Sequence, residues 1–159
     1  MSKITSCLWS NGKAEEAANF YVSLLPDSRI TKVQRSVMDY PGGKAGSVLV
    51  VEFTLAGQSF MTLNGGMDVG YTHAVSFSVD CADQAEVDRL WDALTAEGGA
   101  PVACGWVKDR YGLSWQIVPA VLLELLQDPD KEKAGRVMQA MLRMRKLDVA
   151  GLERAAAEA

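Results

Sequence analysis

The stretch Gly105-Trp-Val-Lys-Asp-Arg-Tyr-Gly-Leu-Ser-Trp-Gln-Ile-Val-Pro119 decides the fold. A strand enters at Trp106, a charged turn closes over Asp109–Gly112, and an alternating strand leaves through Leu113–Val118. Leu113, Trp115 and Ile117 take one face of that strand, suited to burial under a helix. Ser114, Gln116 and Val118 take the other and offer a hydroxyl and an amide to whatever lies in front of the sheet. Lys108, Asp109 and Arg110 read as an ordinary solvated cluster at the turn.

Working outward, the elements preceding this hairpin occur twice in the same order. Ile4–Ser10 is a first strand. Asn11-Gly12 then caps a helix with Glu15 and Glu16 in its first turn. Ala14, Ala17, Ala18, Tyr21, Leu24 and Leu25 form one helical face, and Pro26 ends it. Arg29–Val37 is a strand, Tyr40-Pro-Gly-Gly a loop, and Ser47–Leu55 with Ser59–Asn64 a hairpin turned at Gly57. In the second half, His73–Asp80 is a strand, and Asp83 with Glu86 resembles a capping box. Val87, Leu90, Trp91 and Leu94 mark a helix that stops at Gly98-Gly99. Short strands around Val102 and Trp106 precede Leu113–Val118. The chain is therefore α+β: paired βαβββ modules over 1–66 and a shortened 67–119, in one structural domain with extra C-terminal helices over 120–159. In that last segment Val121–Gln127 is a short helix, and Asp128-Pro129 starts a longer one. Its face carries Ala134, Val137, Met138, Met141 and Leu142. Asp148 opens an Ala-rich helix expected to fray.

The totals narrow the function classes. The 159 residues are 48% hydrophobic and 23% charged, which fits an ordinary soluble domain. A net charge of −4 argues against a nucleic-acid partner. The basic stretch Arg136–Lys146 alternates with apolar residues and reads as a solvated helix face. Cys7, Cys81 and Cys104 are odd in number and widely spaced, as in reduced thiols of a cytoplasmic protein. The amino terminus lacks a signal-peptide pattern, and no stretch is long enough to span a membrane.

Four segments carry a family resemblance: Ala14-Glu-Glu-Ala-Ala-Asn-Phe-Tyr, His73-Ala-Val-Ser-Phe-Ser-Val-Asp, Val87-Asp-Arg-Leu-Trp, and Cys104 through Pro119. Together they resemble the vicinal oxygen chelate superfamily of glyoxalases, bleomycin-resistance proteins and extradiol dioxygenases. The match is closer to its PhnB-like branch, whose domain is labelled 3-demethylubiquinone-9 3-methyltransferase. The resemblance implies half-barrel sheets and a homodimer. It also implies a four-ligand metal position in the metal-using members, and would put Ser6 or a neighbour, the Met61–Asn64 strand, His73 and Gln116 there. Only His73 keeps a usual ligand type, and Gln116 stands where a carboxylate is usual, so no metal or other cofactor is expected. No Gly-x-Gly loop opens a helix, so methyl transfer gains no support from the residues.

The candidate site residues follow from these positions. His73, the only histidine, is the one side chain suited to act as a base near neutral pH. Its other reading is a strand-end histidine bonded to backbone or to Gln116. Ser114 and Gln116 are polar anchors for an otherwise apolar site, and Trp106 is placed to stack on a planar ligand or simply to pack. Glu52 lies within an apolar strand, either exposed or as a further anchor. The function expected is binding of a small molecule in a sheet-lined cavity without a full metal site. The alternative is a metal-assisted or His73-dependent isomerase or lyase.

Overall fold

The computed structural model describes residues 2–158. The chain divides into two compact units, one running to Gly70 and the other from Tyr71 onward.

In the first unit the elements are β1 (Ser6–Ser10), α1 (Ala14–Val22), β2 (Arg29–Arg35), β3 (Val48–Leu55) and β4 (Gln58–Asn64). The sheet order is β1-β4-β3-β2, with β1 parallel to β4 and the other pairs antiparallel. Alternation on β3 and β4 buries Val51, Phe53, Leu55, Phe60 and Thr62, and Leu8 joins them from β1. α1 presents Ala14, Ala17, Ala18 and Tyr21 as its buried residues. The three alanines are small enough to let the helix lie close to the strands. Tyr21 stacks on Phe53 at 6.3 Å between ring centres, and Phe53 stacks on Phe60 at 5.6 Å.

The start of α1 differs from the sequence expectation. Asn11 does not cap it; Asn64, at the end of β4, does. The Asn64 Oδ1 accepts from the Gly12 and Ala14 N–H groups at 2.9 and 3.0 Å, and its Nδ2 donates to the Val48 carbonyl at 3.0 Å. The first helical N–H groups lack intrahelical acceptors, and a side chain distant in sequence supplies one as well as a local residue would.

The second unit repeats the pattern with β5 (Ser76–Cys81), α2 (Gln84–Thr95), β6 (Ala100–Pro101), β7 (Trp106–Lys108) and β8 (Ser114–Pro119). Its order is β5-β8-β7-β6, again with the outer pair β5 and β8 parallel. Trp115, Ile117 and Val107 are buried, as are Val87, Leu90, Trp91 and Leu94 of α2. The Asp83 side chain accepts from the Glu86 N–H, as the sequence indicated. β5 begins at Ser76 and not at His73. Its ladder partner β8 begins at Ser114, which pairs with Ser76, so Thr72–Val75 have no strand to bond to. β6 likewise sits at Ala100–Pro101, before Val102, because the Val102 N–H already closes onto the Trp106 carbonyl at 2.9 Å.

Three helices complete the unit: α3 (Ala120–Leu126), α4 (Lys131–Leu142) and α5 (Val149–Ala157). Leu122, Val137, Leu147 and Leu152 form their core, with Val118, Met141 and Met144 against it. The cap of α4 is Asp130, two residues beyond the expected Asp128; it accepts from Glu132 and Lys133 N–H groups. The expected fraying of α5 is also corrected. Leu152 is fully buried, and the Arg136 guanidinium donates to the Ala155 and Ala156 carbonyls at 3.0 Å each, tying down its last turn.

Candidate functional site

The polar face of the second sheet is built by register. Ser78, Gln116 and Trp106 lie in one row across β5, β8 and β7, and Ser76, Ser114 and Lys108 in the next. Opposed residues in a ladder share a face, so all six stand on the side away from Trp115 and Ile117. The Gln116 Nε2 donates to the Ser76 Oγ at 3.0 Å. That fixes the amide and leaves its carbonyl oxygen without a donor among the described residues, as it leaves the Trp106 indole N–H without an acceptor. Ser114 is buried, whereas Gln116, Trp106 and Ser76 are half-buried.

Two devices hold this row in place. The first is Asp109, which is buried rather than solvated as the sequence suggested. Its Oδ1 accepts from the Tyr111 and Leu113 N–H groups at 2.8 and 3.1 Å, and its Oδ2 accepts from the Trp115 indole at 2.9 Å. The turn is thereby locked to the strand bearing Gln116. Arg110, its neighbour, pairs with Glu97 at 2.6 Å. The second is the Ala103–Gly105 loop. Cys104 and Gly105 donate backbone N–H groups to the Met144 and Arg145 carbonyls, each at 2.8 Å, and the Gly105 carbonyl accepts from Ile117. Gly105 has φ of +86°, and a Cβ there would lie 2.8 Å from Leu147 Cδ1 and 3.0 Å from the Ile117 oxygen. Only glycine meets both conditions. The segment joining α4 to α5 thus sets the entry of Trp106 into β7.

His73 and Glu52 are not members of this row. His73 is exposed in the turn before β5 and makes no hydrogen bond among the described residues. Glu52 belongs to the first unit. It lies on the face of β3 away from α1, half-buried, in register with Lys32 on one side and Met61 on the other, with Cys7 beyond Met61. It makes no ion pair among the described residues. Ser76 and Ser78 were not singled out from the sequence. Their signal was the alternation Ser-Phe-Ser-Val-Asp, masked by starting the strand at His73.

The thiols have distinct environments. Burial, reinforced by the Glu86 carboxylate, pushes the Cys81 thiol up to about 12, which makes it a packing group. Cys7 is exposed on β1, and desolvation raises its thiol above its ordinary value.

The donor set does not fit a divalent metal. Ser6 and Gln116 supply neutral oxygens, and Gln116 already holds Ser76. On β4, Met61 and Leu63 share the face away from α1 with Glu52. Thr62 faces α1 instead and donates to the Ala14 carbonyl at 2.8 Å, and Asn64 is engaged as its cap. No group of three or more His, Cys, Asp or Glu side chains able to hold a metal occurs among the described residues. What the row of Ser78, Gln116 and Trp106 provides is an uncharged donor, an uncharged acceptor and an aromatic surface.

Comparison with known proteins agrees with the two-module architecture. A family model described as 3-demethylubiquinone-9 3-methyltransferase matches residues 2–118. A Bacillus cereus PhnB protein, labelled 3-demethylubiquinone-9 3-methyltransferase, is similar at 37% identity with a TM-score of 0.67; the match covers 75% of this chain and all of that one. A Pseudomonas aeruginosa protein is 20% identical with a TM-score of 0.56, over 75% of this chain and 98% of its own. The fosfomycin resistance protein FosX of Mesorhizobium loti is 14% identical with a TM-score of 0.52, over 80% of this chain and 100% of its own. These last two share the fold. Among curated proteins, none matches the chain.

Proposed function

The chain belongs to the 3-demethylubiquinone-9 3-methyltransferase family, the PhnB-like branch of the glyoxalase/bleomycin resistance/dioxygenase fold, and from that premise we propose that it binds a small planar molecule without a metal. The carrying observation is the row Ser78–Gln116–Trp106, whose amide is oriented by Ser76 while its carbonyl and the indole N–H stay available. A neutral ligand carrying both an acceptor and a donor beside a flat ring satisfies all three groups. Such uncharged convergent groups fix orientation, and the aromatic surface supplies most of the contact area. Ser114, on the same face of β8, is a further ligand-binding residue of this reading; Glu52, half-buried on β3, is proposed as a polar anchor on the first unit's own sheet, and His73 is the candidate base of the alternative enzyme reading.

Methyl transfer is not part of the proposal. The family description names it, but this chain has no glycine-rich loop opening a helix to hold a nucleotide-like donor. Three free cysteines fit a reducing cytoplasm. A homodimer is also proposed: Ile4 and Val75, beside the edge strands β1 and β5, are 79% and 66% exposed, and such edges favour pairing with a second surface.

The test is a thermal-shift screen of neutral aromatic amides and phenols, run with and without zinc, manganese and nickel. Hits are carried to calorimetry against Gln116→Ala, Trp106→Ala and His73→Ala. We expect binding that needs no metal and weakens about tenfold or more in each of the first two variants, with His73→Ala near wild type. A large metal shift abolished by His73→Ala, or turnover of a bound compound that His73→Ala removes, would instead establish the enzyme reading.

A further inference from the structure

The segment joining α4 to α5 is bound on two sides, by the loop before β7 and by the first turn of α2. On the loop side, Cys104 and Gly105 both have positive φ, +55° and +86°. A cysteine in that region is strained and persists only where its surroundings fix it. The fixing bonds run from the Cys104 and Gly105 N–H groups to the Met144 and Arg145 carbonyls, and Leu147 lies against Gly105. Trp106 follows at once, its own N–H closing onto the Ala103 carbonyl at 2.9 Å. The direction in which Trp106 leaves the turn is therefore set from beyond β8, by carbonyls of the C-terminal segment.

On the helix side a single side chain holds the segment. Gln84 opens α2, and its Nε2 donates to the Leu147 carbonyl at 3.1 Å while its Oε1 accepts from the Val149 N–H at 2.7 Å. The same Nε2 donates to Asp88 Oδ1 at 3.0 Å, and that oxygen also receives the Lys146 ammonium at 2.8 Å. Donor and acceptor of one amide thus span the backbone from Leu147 to the start of α5. An amide oriented by three partners fixes a backbone more tightly than an exposed ion pair does. Gln84 is not a member of the row on β5, β8 and β7. The clasp joins it, within the part matched by the family model, to a segment beyond residue 118, where that match ends.

We infer that Gln84 is a positioning residue for Trp106. It anchors Leu147 and Val149, the anchored segment holds the Cys104–Gly105 turn, and the turn aims the indole at the row that contains Gln116. The consequence for binding rests on the reading of that row as a ligand surface; the placement of the indole does not.

The experiment uses the full chain, without ligand, labelled with fluorotryptophan so that Trp9, Trp91, Trp106 and Trp115 each give a fluorine resonance. Trp106→Phe and Trp9→Phe assign the two lines of interest. Gln84→Met removes the three hydrogen bonds at nearly constant size, at a half-buried position that tolerates it. In that variant the Trp106 line is expected to shift or broaden while the Trp9 line stays in place. Amide exchange at Cys104 and Gly105 should rise about tenfold or more. Lys146→Met keeps the Gln84 bonds and removes only the ion pair to Asp88, so both readouts should stay near wild type. A loss of global stability alone would raise exchange throughout the second unit and leave the native Trp106 line where it was; that result overturns the inference. An unchanged Trp106 line with unchanged exchange at the turn overturns it too, as does an equal effect of Lys146→Met. A ligand screen without hits would remove the ligand reading and leave these resonances as they are.

Discussion

At the scale of the residue, Asp109 separates what charge patterns suggest from what folding does with them. Lys108, Asp109 and Arg110 look equivalent in sequence, yet Asp109 alone is buried with three N–H donors around it. Asp109→Ala would take the acceptor from those donors, including the Trp115 indole. Buried donors left without an acceptor are costly, so urea unfolding should show a loss of about 3 kcal/mol or more. Lys108→Ala, at an exposed position, should stay within about 0.5 kcal/mol of wild type. Near-equal effects of the two would mean that the turn is solvated after all. Gln116 was legible as an inward amide because strand alternation is a local property. Its partner Ser76 was not, because the pairing depends on which residue of a strand 40 positions away reaches it.

At the scale of the element, the helices were read from periodicity and the strands from alternation, and those readings hold for α1, α2, β3, β4 and β8. Starts and stops are where the readings shift. Asn11, Asp128 and His73 were chosen as boundaries from neighbours in sequence. Asn64, Asp130 and the Ser76–Ser114 pairing set the boundaries in the fold. Asn64→Ala tests the first of these. Losing a cap that serves both the Gly12 and Ala14 N–H groups should lower stability by about 1–2 kcal/mol and raise amide exchange in the first turn of α1. Asn11→Ala should leave that turn unchanged; exchange rising there instead would return the cap to Asn11.

At the scale of the molecule, sedimentation equilibrium checks the proposed homodimer. A two-chain species at micromolar concentration is expected, and Ile4→Lys with Val75→Lys should shift it toward monomer by placing charge beside the edge strands. A monomer in the wild type would remove the dimer from the functional reading. The α3–α5 helices belong to the second unit, and their contact with the Ala103–Gly105 loop through Met144, Arg145 and Leu147 makes them part of how Trp106 is held. No helix among the described residues is long and apolar enough to cross a membrane.

The twofold βαβββ order and the faces of β8 were legible in the chain, because alternation, helical spacing and punctuation by Gly and Pro act over neighbouring residues, and the family was legible in the resemblance of four segments. The resemblance also implies which strand positions carry the ligands of metal-using members, and His73 alone among them is a usual ligand type. Other features needed the folded chain: the buried Asp109, the remote cap from Asn64 and the clamp of Arg136 on α5. The cap and the clamp join groups whose distance in sequence carries no trace of their distance in space, and Asp109, though its partners are near in sequence, is buried only because the turn folds back onto β8. Burial and hydrogen-bond partnership are properties of that spatial distance, so packing alone decides them.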